Sequence, residues 1–156
     1  MPLIDAARIY GEAVAEVTET GERLLAMGII HRPRRRQVEG VDLAGVRHPD
    51  AHASVEPSWG RRTWQAVQSP KVTSLGWAVT DRRLLLLDNY RIDPQRFRLH
   101  FAVPRSAIRA VRRRSRPLLG MGRVELTFVD GSMVALVLAI VDVTAATAFV
   151  RSLGSR

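Results

Sequence analysis

The chain has 156 residues, enough for one domain with a substantial core, and its 46% hydrophobic and 25% charged residues place it outside the disordered range. It contains no cysteine, which excludes disulfides, thiol catalysis, iron–sulfur clusters and cysteine-ligated zinc. The formal net charge of +9 is unevenly placed: residues 1–31 hold Arg8 and Arg23 against Asp5, Glu12, Glu16, Glu19 and Glu22, a balance of −3, whereas the remainder balances at +12.

The start, Met1-Pro2-Leu3-Ile4-Asp5, has an early acid and no basic stretch, so no secretory signal is expected. The longest apolar run, Met133 to Val141, is about half of what a bilayer needs. A cytoplasmic protein is the expectation, with any membrane role peripheral, at the inner face. Residues 3–18 form an amphipathic pattern in which Ala6, Ile9, Tyr10, Ala13, Val14 and Val17 share one helical stripe, closed by Gly21. That stripe suits either a sheet edge or another subunit. Residues 22–31 are an apolar run too short for a second helix and read as a strand.

Residues 32–70 contain Pro33, Pro49, Pro57 and Pro70 and few periodic apolar positions. They predict a long basic loop between strands, with a short helical turn around Arg62–Val67 and Trp59 and Trp64 packing back on the body. From Ser74 onward strand patterns follow one another. Leu75–Val79 and Arg83–Leu87 flank a tight turn at Thr80-Asp81-Arg82, and residues 97–103 alternate until Pro104. Ala107–Arg114 is the next strand. Val124, Leu126 and Phe128 then lead into Asp130-Gly131, a strong hairpin signal, and Ser132–Ile140 returns. Asp142 is a candidate N-cap for a last helix with Val143, Ala146, Phe149, Val150 and Leu153 on one face. One α+β domain follows: seven antiparallel strands in a barrel or sandwich, capped by a C-terminal helix, with an additional N-terminal amphipathic helix.

The segment Trp77-Ala78-Val79-Thr80-Asp81-Arg82-Arg83-Leu84-Leu85-Leu86 resembles a hairpin of the bacterial pleckstrin-homology-like (PH-like) superfamily, including its GRAM-like and YokE-like members. Val103-Pro104 with Ile108 and Val111, the Asp130-Gly131 turn and the closing helix extend the resemblance over residues 74–154, with 22–31 as first strand. The acidic N-terminal helix and the long loop at 32–70 depart from the simplest pattern. The resemblance implies a binding platform, sometimes a homo-oligomer, with no reaction, cofactor or small-molecule substrate. In some PH domains the first inter-strand loop grips anionic headgroups, and here that loop carries Arg32, Arg34, Arg35 and Arg36.

Each guanidinium of that run would contribute roughly 1 kcal/mol near an anionic membrane; the competing reading is a solvated, self-repelling loop. Arg109, Arg112, Arg113, Arg114 and Arg116 form a second cluster, in which alternation places Arg112 and Arg114 on one face and Arg113 on the other. Arg112 and Arg114 are thus further candidate anion contacts, unless the strand is an edge whose charge discourages pairing. His48, Asp50 and His52 lack a third strong ligand and a helix to align them, so no metal site is expected, and His31 and His100 read as ordinary rim histidines. No serine sits in a nucleophile elbow, Gly120-Met121-Gly122 is not a phosphate loop, and Asp81 and Asp130 are accounted for as turn residues. The chain therefore reads as a non-catalytic module that contacts an anionic membrane surface or a protein partner. The alternative, suggested by a pI near 11.5, is a nucleic-acid-binding protein, although no helix carries a basic stripe for a groove.

Overall fold

The computed structural model describes residues 12–31, 57–72, 74–88, 97–114, 122–139 and 143–154, and at Arg114, Ala139 and Val143 it describes the backbone alone. The strands are β1 (Leu24–Ile29), β2 (Leu75–Thr80), β3 (Arg83–Asp88), β4 (Arg98–Pro104), β5 (Ile108–Arg114), β6 (Gly122–Phe128) and β7 (Met133–Ala139). Among the described residues they are accompanied by the helices α1 (Trp59–Gln68) between β1 and β2 and α2 (Val143–Gly154) at the end, besides a helical turn at 12–15. Pairing is antiparallel throughout, in a four-stranded sheet ordered β1-β2-β3-β4 and a three-stranded sheet ordered β5-β6-β7. This is the α+β arrangement expected from the strand and helix patterns. The bounds move slightly: β1 is shorter than 22–31, and a 3-10 turn at Arg105–Ala107 precedes β5.

The alternating positions account for the core between the sheets. Trp77, Val79, Leu84, Leu86 and Val103 from the first sheet meet Val124, Leu126, Phe128, Val134, Leu136 and Leu138 from the second. Ala146, Phe149 and Leu153 of α2 enter the same core, and Phe149 meets Trp77 edge to face at 4.9 Å and 87°. The Asp130-Gly131 hairpin forms as its sequence predicts, with Gly131 at φ +85° in the left-handed region. His31, just past β1, forms a bridge to Val137 of β7, its N–H donating to the Val137 carbonyl at 2.8 Å, and so joins the two sheets at one corner.

One stretch departs from expectation. Where a loop with a single helical turn is predicted, residues 59–68 form a ten-residue helix. Ser58 caps it, its hydroxyl accepting the Arg61 N–H at 3.2 Å, and the Ser69-Pro70 pair ends it. The buried face is built from small groups, Gly60, Thr63, Ala66 and Val67, and Trp59 and Trp64 pack partly buried against the core. Gly60 matters for fit, because a Cβ there would lie 2.8 Å from the Met133 carbonyl oxygen and 3.0 Å from the Ser132 side chain. α1 bridges β4 to β6 and β7, and α2 bridges β1 and β2 to the second sheet. Each helix therefore fills one opening between the sheets.

The N-terminal amphipathic pattern is helical at 12–15, and residues 3–11 lie outside the described residues. Its stripe residue Val14 is 1% exposed and joins Met27, Ala78, Leu85, Leu87 and Phe97 in a second cluster, with Ala13 and Val17 packed alongside. The described part of the stripe, Ala13, Val14 and Val17, packs on the outer face of the first sheet.

Candidate functional site

Of the predicted anion contacts, Arg32, Arg34, Arg35 and Arg36 lie outside the described residues. Arg112 lies opposite Glu125 of β6, and its Nε and Nη2 both reach Glu125 Oε1, at 2.8 and 2.6 Å. The Glu125 side chain is 1% exposed although it stands on the outer face, so Arg112 compensates a buried carboxylate and is not an uncommitted anion binder. Nothing in the sequence ties these two residues together; only the β5–β6 register does. Arg114 occupies the last position of β5, opposite Arg123. Arg113 pairs with Val124 in register, on the face opposite to Arg112, as alternation predicts. β5 is an edge of its sheet, and its exposed Arg109 and Arg113 have no acid partner among the described residues. That fits the reading of its charge as protection against unwanted strand pairing.

The register sets His31 and Arg114, which border the two arginine runs, on one row. A single row across the molecule passes from His31 to Val137, from Val137 to Arg123, and from Arg123 to Arg114. The 32–36 run begins one residue after His31, and the run ending in Arg116 continues beyond Arg114. The last described residues before these two stretches, His31 and Arg114, thus stand at the same level of the sheets.

At the opposite end lies the Thr80–Arg83 turn, whose residues carry the PH-like resemblance. The Thr80 hydroxyl accepts the N–H groups of Arg82 and Arg83, at 3.1 and 2.8 Å, and donates to Glu22 Oε1 at 2.5 Å. Arg83 grips the same carboxylate, Nε to Oε1 at 3.0 Å and Nη2 to Oε2 at 2.6 Å, and its Nη1 approaches Glu19 at 3.3 Å. The Arg83 guanidinium, opposed by burial and aided by the Thr80 hydroxyl and the Glu19 N–H, holds the Glu22 carboxyl at about 2, far below its ordinary 4.5. The motif thus fastens the acidic N-terminal segment to the first sheet. Asp81 has more than a turn role: its Oδ1 accepts the Arg23 N–H at 2.9 Å, and its own N–H donates to the Arg23 carbonyl at 3.0 Å. Asp130 likewise exceeds its expected role, accepting the Trp59 N–H at the start of α1 at 2.8 Å as well as the Ser132 hydroxyl and N–H. Burial pushes the Asp130 carboxyl up, but these donors outweigh it and leave it below its ordinary value.

A cleft of about 750 Å³ opens beside this turn, lined among the described residues by Arg23, Leu25, Asp81, Arg105, Ser106, Ile108 and Leu153. Arg105 donates from Nη2 to the Leu153 carbonyl at 3.1 Å and from Nη1 to the Thr80 carbonyl at 3.5 Å, which pins its guanidinium to the last turn of α2. Arg23 and Arg105 escape a reading of the sequence because nothing but the folded end of the sandwich unites them. His48, Asp50 and His52 lie outside the described residues, among which no group of three His, Cys, Asp or Glu is placed to hold a metal. His100 Nε2 lies 3.0 Å from the Ala66 carbonyl, tying β4 to α1. No described helix is long and apolar enough to cross a membrane. Comparison with protein-family models, with curated proteins and with solved structures finds no match.

Proposed function

We propose that the chain is a non-catalytic, PH-like binding module that docks on an anionic membrane surface through the end of the sandwich from which its two arginine runs emerge. The order of four strands, three strands and a closing helix is consistent with that superfamily, and so is the Thr80–Arg83 turn at the heart of the resemblance. The observation that carries the reading is the His31–Val137–Arg123–Arg114 row, which sets His31, just before the first run, and Arg114, within the second, at one level. At roughly 1 kcal/mol per guanidinium near an anionic leaflet, two runs acting together hold where one alone does not. Screening over about 8 Å at physiological salt makes such docking sensitive to ionic strength.

Co-sedimentation with phosphatidylserine-containing vesicles tests this, with phosphatidylcholine vesicles as control. The expected result is binding that weakens with salt, falls in a triple Arg34→Ala, Arg35→Ala, Arg36→Ala variant, and falls again when Arg113→Ala, Arg114→Ala and Arg116→Ala are added. Absence of binding by the intact chain, or indifference to both sets, overturns the membrane reading and leaves an acidic protein partner to be sought. Nucleic-acid binding would instead appear as a gel shift whose log K falls with log salt by about 0.9 per phosphate neutralised.

A further inference from the structure

We propose that Leu99 is an apolar anchor, which enters the boundary between lipid headgroups and acyl chains while Arg98 beside it meets the headgroup phosphates. This contact rests on the membrane reading above and adds an apolar component to it. The row that ends at His31 continues into the first sheet. The N–H of Ile30 donates to the Leu75 carbonyl at 3.0 Å, Leu75 stands opposite Asp88, and Asp88 stands opposite Arg98. Arg98, at the start of β4, and Arg114, at the end of β5, are therefore the two ends of one row that crosses both sheets. Arg98 is exposed, and among the described residues it has no ion pair, not even with the half-buried Asp88 opposite. Leu99 follows it in β4, opposite Leu87, and is 41% exposed. Hydrophobic residues stand singly on any protein surface, so place decides what this one can do. Among the described residues the other exposed large hydrophobic is Val129, 58% exposed, at the opposite end of the sandwich beside Asp130. Leu99 instead shares its end with the arginine row and adjoins a guanidinium that no carboxylate neutralises. Charge brings that end to an anionic leaflet, and an apolar side chain at the same level gains by sinking roughly 5–10 Å into the headgroup boundary. Salt separates the two contributions, because screening weakens the first and spares the second.

The chain has no cysteine, so Leu99→Cys and Val129→Cys each create a single site for an environment-sensitive dye. The full-length proteins carrying the dye are titrated with vesicles of phosphatidylcholine and phosphatidylserine. The dye at position 99 is expected to shift to the blue and brighten, and the dye at 129 is not. In co-sedimentation with the same vesicles, Leu99→Ala is expected to weaken binding about fivefold at low and high salt alike. Arg98→Ala is expected to weaken it about fivefold at low salt and less at high salt, and Val129→Ala to leave it unchanged. Circular dichroism confirms that each variant folds. Failure of the intact chain to bind these vesicles overturns the membrane reading and the anchor with it. If the intact chain binds, the anchor alone is overturned by an aqueous spectrum at position 99, by equal shifts at both positions, or by a Leu99→Ala effect that is absent or vanishes in salt.

Discussion

Among the described residues the first sheet is covered on both faces and the second on one, and the two strand sequences record that difference. In β3, Leu84, Leu85, Leu86 and Leu87 are all fully buried: Leu84 and Leu86 face the second sheet, and Leu85 and Leu87 lie in the cluster that includes Val14 of the N-terminal segment. In β6, Val124, Leu126 and Phe128 face inward and alternate with Arg123, Glu125 and Thr127. An unbroken apolar run in an antiparallel strand therefore signals a second covering layer, whereas alternation signals one wet face. Glu125 is the informative exception, a buried acid on the wet side, matched by the guanidinium of Arg112.

Leu85→Ala gives the largest expected effect. In a sheet with one dry face an outward leucine would cost little, but here the loss is set at about 3 kcal/mol, equal to that of Leu84→Ala, by urea unfolding. A cost near zero for Leu85→Ala with a full cost for Leu84→Ala would break the contrast between the sheets. Glu22→Gln comes next, at about 2 kcal/mol near neutral pH, because it removes the carboxylate that Arg83 and Thr80 surround while leaving Arg83 partly hydrated. Its pH dependence has a definite sign. The folded carboxyl sits at about 2 against an ordinary 4.5, so its stabilisation is complete above the ordinary value and disappears as pH falls towards the folded value. Stability measured from pH 5 downward should fall less steeply in Glu22→Gln, and parallel curves would show that the latch contributes nothing. Arg112→Ala is smallest, about 1 kcal/mol, since the arginine is 70% exposed and water can replace part of what Glu125 loses. Arg109→Ala, with no acid partner among the described residues, serves as the control and should stay within about 0.5 kcal/mol.

Periodicity made the strands readable because each buries a dry face against the same core, and Asp130-Gly131 announced its own turn. The helix at 59–68 was legible only as a short turn, since Gly60, Thr63 and Ala66 fit closely by being small and leave no apolar stripe in the sequence. The stripe of Ala13, Val14 and Val17 was visible, but the surface it covers was not, because one apolar face says nothing about which other face meets it. Arginine density pointed to the two runs. It gave no means of seeing that Arg112 answers Glu125, or that Arg23 and Arg105 line one cleft, because those relations arise from register and turn geometry.

The connection between β1 and β2 stands on two feet, both on the β6–β7 hairpin: His31 is bonded to Val137, and Trp59 to Asp130. Those anchor points are separated by most of one strand, roughly 20 Å of extended chain. The described residues that flank positions 32–56 on either side are therefore both fastened to the second sheet. A force applied at His31 and Trp59 would load the β6–β7 hairpin of the second sheet as well as β1, which His31 continues.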